Sequence, residues 1–135
     1  MAGTLIIPIL RYRDAPAAIT FLTQAFGFEQ RLVVPGKEPG KVVHAQLTFG
    51  SRMLMLSTHE GRQAPGAKHE AGDYTNAIYV VVDDADAHHA RAIAAGAKIT
   101  SPLEDWDHGG RGYMCEDCEG HVWSFGTYDP WTAVH

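Results

Sequence analysis

Three stretches of the chain combine residues whose types and spacing could do chemistry. Cys115-Glu116-Asp117-Cys118-Glu119-Gly120-His121 has C-x-x-C-x-x-H spacing, three potential zinc ligands, with His108 the nearest conceivable fourth. The same residues also suit a turn ahead of a strand, where two small side chains need no metal, and this plainer reading is preferred. A redox C-x-x-C should open a helix, and this one precedes a strand. The second stretch, Val42–Phe49, alternates so that His44, Gln46 and Thr48 share one face. Facing a hollow, they would offer polar groups to a ligand; facing water, they would be the wet side of a sheet. Periodicity does not choose between the two. The third stretch, Asp105-Trp106-Asp107-His108-Gly109-Gly110-Arg111, sets an aromatic ring, acids and a cation among glycines. Trp106 could stack on a planar ligand and Arg111 could hold its carboxylate or phosphate. Alternatively, Arg111 ties the loop down through Asp105 or Asp117.

The remaining candidates are plainer. His88 and His89 are neighbours on a helical stretch, about 100° apart, so they do not form the usual i, i+4 metal pair and read as a solvated face. Met53 and Met55 alternate on a strand, as core or as an adaptable pocket lining. Trp123 and Phe125 read as core. His59, His69 and His135 are assigned nothing. There is no G-x-S-x-G, no G-x-G-x-x-G after a strand and no phosphate loop.

The elements that must position these residues come in two similar sets. Leu5–Tyr12 is strand-like and ends in Arg13-Asp14, and Pro8 within it marks an edge or a bulge. Ala15–Phe26 follows with Ala18, Ile19, Leu22, Ala25 and Phe26 at helical spacing, Asp14 as N-cap and Gly27 as left-handed stop. Strands are predicted over Glu29–Val34, Lys41–Phe49 and Arg52–Ser57. The second half repeats the order. A strand over Ala77–Val82 runs into Asp83-Asp84. A helix over Ala85–Ala95, with Ala90, Ile93 and Ala94 on one face, stops at Gly96. Strands over Lys98–Thr100, Gly112–Glu116 and Val122–Thr127 complete the set. Asp14 to Asp84 is 70 residues, Gly27 to Gly96 is 69 and Gly50 to Gly120 is 70. The expectation is an α+β domain of two β-α-β-β-β modules, residues 5–57 and 75–128, joined by a polar linker at 58–74. Their curved mixed sheets should pair with the helices outside, leaving a ligand hollow between modules.

These residues resemble the vicinal oxygen chelate superfamily (glyoxalase, bleomycin resistance, extradiol dioxygenase), and within it the PhnB-like branch. The carriers are Tyr12-Arg13-Asp14, Ile19-Thr20-Phe21, Ala25–Phe28, His44–Leu47, Val82–Asp86, Ala95–Ala97, Gly110–Tyr113 and above all Asp117–Gly126. The resemblance implies this paired fold, commonly as a homodimer, and enzymes that chelate two substrate oxygens on a divalent metal. It implies metal ligands, two per module, at Ile7 and Leu54 and at Ala77 and Ser124, with Met55 as a one-residue alternative to Leu54. Ile, Ala and Leu cannot ligate a hard cation, and Ser and Met are poor ligands for one.

Composition bounds the rest. The chain has 135 residues, is 45% hydrophobic and carries 11 Lys+Arg against 16 Asp+Glu, a net charge of -5. That fits a single domain without the basic stripe of a nucleic-acid binder. No apolar run approaches the roughly 18–20 residues of a membrane span. Met1–Thr4 lacks the basic and apolar regions of a secretory signal, and two nearby cysteines make no disulfide framework. Reduced thiols in the cytoplasm are therefore expected. The expected function is metal-independent binding of a small molecule, a cationic or planar one such as an antibiotic, by His44, Gln46, Met55, Tyr79, Trp106 and Arg111. The alternative is a metal-dependent lyase, isomerase or dioxygenase with ligands drawn from His44, His108, His121 or the cysteines. A third possibility is a dimeric scaffold with a vestigial pocket.

Overall fold

The computed structural model describes residues 4–59 and 76–132. Most of the expected linker, with His69 and the terminal His135, lies outside the described residues. The chain divides into two compact units. The first takes residues 4–23 and 27–59, and the second takes 24–26 and 76–132.

In the first unit, β1 (Ile9–Tyr12) leads into α1 (Ala15–Phe21), which widens into a π-helical turn over Leu22–Phe26. Then come β2 (Glu29–Pro35), β3 (Val42–Phe49) and β4 (Arg52–Thr58). The sheet order is β1-β4-β3-β2, with β1 parallel to β4 and the other pairs antiparallel. Pro8 thus stands just ahead of an edge strand, its carbonyl accepting from the Met55 N–H (2.9 Å). The predicted helix caps are present: the Asp14 carboxylate accepts from the Ala17 N–H (3.1 Å), and Gly27 takes φ 89° where the helix stops. Ala18, Ile19 and Leu22 are buried with Ala45, Leu47, Leu54 and Leu56 of the strands.

The second unit repeats this order. It has β5 (Ala77–Val81), α2 (Ala85–Ala94), β6 (Lys98–Asp105), β7 (Arg111–Glu116) and β8 (Val122–Gly126), in sheet order β5-β8-β7-β6. Asp84 caps α2 through the Ala87 N–H (3.0 Å). β6 runs five residues beyond the expected Thr100, straight through Pro102. It can do so because it is an edge strand whose pairing with β7 slips between Ser101 and Glu104, so proline costs no ladder bond there.

The buried face of α2 corrects the sequence expectation. Ala90, Ile93 and Ala94 point outward, Ile93 being 50% exposed, while Ala85 and Ala92 are buried and His88 and His89 are half-buried between them. The inward stripe is therefore Ala85-His88-His89-Ala92, an i, i+3, i+4, i+7 set built around histidine. His88 is not on a solvated face. Its Nε2 donates to the Phe26 carbonyl (2.9 Å), its Nδ1 accepts from the Tyr113 hydroxyl (2.7 Å), and its ring lies 4.2 Å from that of Phe125. A histidine with both nitrogens bonded can replace a hydrophobe in a core.

Candidate functional site

The second sheet buries Tyr113, Cys115, Trp123 and Phe125 on the α2 side, so alternation puts Gly112, Met114, Ser124 and Gly126 on the other face. Gly112 of β7 and Gly126 of β8 are direct cross-strand partners. The indole of Trp106 lies on this pair. A methyl group at Gly112 would come within 2.3 Å of the indole and 2.4 Å of the Phe125 carbonyl oxygen, and one at Gly126 within 2.5 Å of the indole. Glycine inside a strand marks such a close approach, and Gly112 and Gly126 are the sequence signal for it.

Other rings gather around the indole. Tyr79 on β5 lies 5.9 Å from it at 51°, and the Tyr79 hydroxyl donates to the Tyr128 carbonyl (2.6 Å). His108 stacks on it at 5.3 Å and 20°, and meets Tyr128 edge-on at 4.7 Å. Burial, helped by the nearby Asp129 charge, raises the Tyr79 phenol above its usual range, so the hydroxyl remains a proton donor at neutral pH. The tight β6–β7 turn holds Trp106 from below, its N–H donating to the Gly110 carbonyl (2.9 Å) and its carbonyl accepting from the Gly109 N–H (3.0 Å).

Arg111 stands at the foot of that turn. Its Nε donates to Asp86 on α2 (3.2 Å) and its Nη1 to Asp105 (3.3 Å), and these two bonds raise its pKa in that order. The cation therefore fastens the loop to the helix.

The other sequence-derived residues stand in the first unit, on the sheet face away from Ala45, Leu47, Leu54 and Leu56. Ile9, Met55, Gln46 and Leu32 are aligned across the four strands. The Gln46 amide donates to His44 Nε2 (3.0 Å), which leaves the neutral ring's proton on Nδ1. Tyr79, Trp106 and Arg111 are thus grouped within one unit, and His44, Gln46 and Met55 within the other. His108 and Tyr128 join the Tyr79–Trp106 group, although the sequence offers His108 only as a metal ligand and Tyr128 not at all. Their ring contacts bring together residues 20 apart in the chain, which no local pattern encodes.

The metal positions can be tested by donor chemistry. Leu54 is 2% exposed on the α1 side, so the open-face position is Met55. The shift arises because the first hairpin turns through two residues, Gly50 and Ser51, while its counterpart turns through five, 117–121. Counting on from the glycine then lands on opposite faces. Ile7 and Met55 in the first unit, and Ala77 and Ser124 in the second, do not fit a hard divalent cation. The Ser124 hydroxyl also donates to the Tyr113 carbonyl (3.4 Å).

The cysteine segment is a hydrogen-bonded turn. Asp117 accepts from the Glu119 and His121 N–H groups (3.0 and 3.1 Å) and from the Trp123 indole (3.0 Å). Cys115 lies inside, where burial and the Asp117 and Glu116 charges push its thiol up to about 12. Cys118 is exposed. Among the described residues no three His, Cys, Asp or Glu side chains are grouped to hold a metal ion.

Comparison with known proteins adds the following. A family model described as the Glyoxalase/Bleomycin resistance protein/Dioxygenase superfamily matches residues 5–125. Uncharacterized protein Rv0887c of Mycobacterium tuberculosis (strain H37Rv) is 34% identical over 122 residues, 88% of this chain and 71% of its own. Uncharacterized protein Mb0911c of Mycobacterium bovis is 34% identical over the same length and covered to 80%. Among solved structures, TioX from Micromonospora sp. ML1 is 32% identical with a TM-score of 0.73, covering 92% of this chain and 98% of that one. The fosfomycin resistance protein FosX from Mesorhizobium loti is 16% identical with a TM-score of 0.70, covering 97% and 96%, a likeness of fold.

Proposed function

The chain belongs to the glyoxalase/bleomycin resistance protein/dioxygenase superfamily, and on that premise we propose that it binds a small planar molecule without a metal. The binding surface is the open face of the second sheet, and the supporting observation is the gathering of Tyr79, Trp106, His108 and Tyr128 rings above the Gly112–Gly126 pair. Rings held this way offer broad apolar area at small entropic cost, and stack best on a flat partner. Charge narrows the class. The guanidinium of Arg111 is accompanied by two carboxylates, so it does not favour an anion, and the chain's net charge of -5 attracts cations. A planar cation also gains from the ring faces. A planar antibiotic is one ligand of this kind. The donor set argues against the chelate chemistry of the superfamily's enzymes, so the role is binding.

The working form is a homodimer in the cytoplasm, a reading that draws on the family resemblance and on two cysteines outside any disulfide. No described helix is long and apolar enough to cross a membrane.

The test is a melting curve with 9-aminoacridine, a planar cation, against 2-naphthoate, a planar anion. At about 100 times its dissociation constant, a ligand specific for the folded state adds about 2.7 kcal/mol. The acridine should raise the midpoint strongly, the naphthoate weakly or not at all, and His108→Ala should weaken the acridine effect. No shift with either probe would overturn the proposal.

A further inference from the structure

We infer that the Gly112–Gly126 pair is a ring-binding shelf and that Trp106 is its built-in occupant, a plug that an incoming planar ring displaces. The inference deepens the planar-ligand reading, and rests on it only for the identity of the incoming ring.

Three observations carry it. First, the shelf is made of backbone: two glycines face each other across β7 and β8, and a single methyl on either would collide with the indole. A flat ring therefore lies directly on peptide groups, at a depth that no side chain other than hydrogen would permit. Second, the indole reaches the shelf from a loop and is only half-buried there, whereas the core rings Trp123, Tyr113 and Phe125 are wholly buried on strands. Third, the indole can swing aside while the turn keeps its anchorage, because the Trp106 N–H and carbonyl stay bonded to Gly110 and Gly109. Gly109 and Gly110 follow Trp106 with φ of 123° and 73°, while Arg111 fastens Asp105, on the other side of Trp106, to Asp86 on α2. Rotation confined to Trp106 would uncover the shelf and leave Tyr79, His108 and Tyr128 to border the ring that replaces it.

A shelf that fits an indole should accept indole from solution once the resident one is removed. The experiment adds free indole to Trp106→Ala and to the parent protein and follows the melting midpoint. Indole should stabilise Trp106→Ala and leave the parent unchanged, and Gly126→Ala introduced into Trp106→Ala should abolish the effect. The variant should also bind 9-aminoacridine several-fold more tightly than the parent, because no indole competes. A Trp106→Ala protein that folds, ignores indole and binds the acridine more weakly would overturn the inference, making Trp106 a fixed wall while the planar-ligand reading survives. Indole rescue without acridine binding to either protein would sustain the shelf and overturn that reading instead. Should Trp106→Ala not fold, Gly126→Ala alone decides. In a Trp131→Phe background it should expel the indole and red-shift its fluorescence, and unchanged emission would overturn the inference.

Discussion

At the residue scale, His88 is the side chain whose chemistry and packing are most tightly joined. Burial lowers its pKa. The bond to the Phe26 carbonyl partly opposes that shift, and the Arg91 charge adds to it. The folded ring is therefore neutral where an unfolded one, near 6.5, begins to take a proton. The unfolded chain binds more protons in that range, so this contribution to stability is fully present above about pH 6.5 and declines as pH falls toward the lower folded value. Folding free energies of the parent and His88→Gln, measured by urea melts from pH 7.5 to 5, should show this. The glutamine amide can donate to Phe26 and accept from Tyr113, so the parent should lose stability more steeply on acidification, with the other histidines cancelling in the comparison. Equal slopes would mean that His88 protonates in place. His88→Ala, which removes the 2.7 Å ring partner of the Tyr113 hydroxyl and the donor to the Phe26 carbonyl, should cost about 1–3 kcal/mol at neutral pH.

At the element scale, α2 shows how a correct helix can be assigned the wrong face. Its bounds, N-cap and stop followed from Asp84, the alanine-rich run and Gly96. Apolar periodicity alone points the helix by Ala90, Ile93 and Ala94, and that rule is blind to a histidine satisfied by a phenol and a carbonyl. The two orientations predict opposite mutational costs. Ala92 is wholly buried, so Ala92→Leu should destabilise by about 1–3 kcal/mol through overpacking, while Ile93→Gln should stay within about 0.5 kcal/mol. Thermal or urea melts of the two variants decide it, and a larger loss at Ile93 would return the helix to its sequence-derived orientation. The strands divide the same way. Order, caps and turns were legible, because alternation and glycine punctuation are local. The extension of β6 past Pro102 was not, because whether proline is tolerated depends on which strand ends up at the edge. In the candidate site, Trp106 and Tyr79 were legible as ring-bearing positions. Their meeting over Gly112 and Gly126 was not, since it depends on β5, β7, β8 and a loop coming together.

At the scale of the whole molecule, the 70-residue repeat carries the same scaffold twice while its metal positions hold Ile7 and Met55 in one copy and Ala77 and Ser124 in the other. A scaffold whose stability depended on a bound cation would keep at least one copy supplied with imidazole or carboxylate, because ligating residues contribute directly to folding. Here each unit instead has its own core, Leu22, Leu47 and Leu56 in the first and Trp123, Tyr113 and Phe125 in the second. Folding and assembly should therefore be indifferent to divalent metal. Protein purified without a histidine tag should contain no stoichiometric metal by elemental analysis. It should sediment at twice the 14.7 kDa of one chain both before and after chelator treatment. Zn, Mn, Ni or Fe(II) should leave its melting midpoint unchanged. A stoichiometric ion, or a midpoint that falls on chelation, would place a donor set where none is grouped among the described residues and would restore the chelate enzymes as the model for this chain. Sedimentation as a monomer with those metal results intact would remove the dimer and leave the proposed ring-binding face to the single chain.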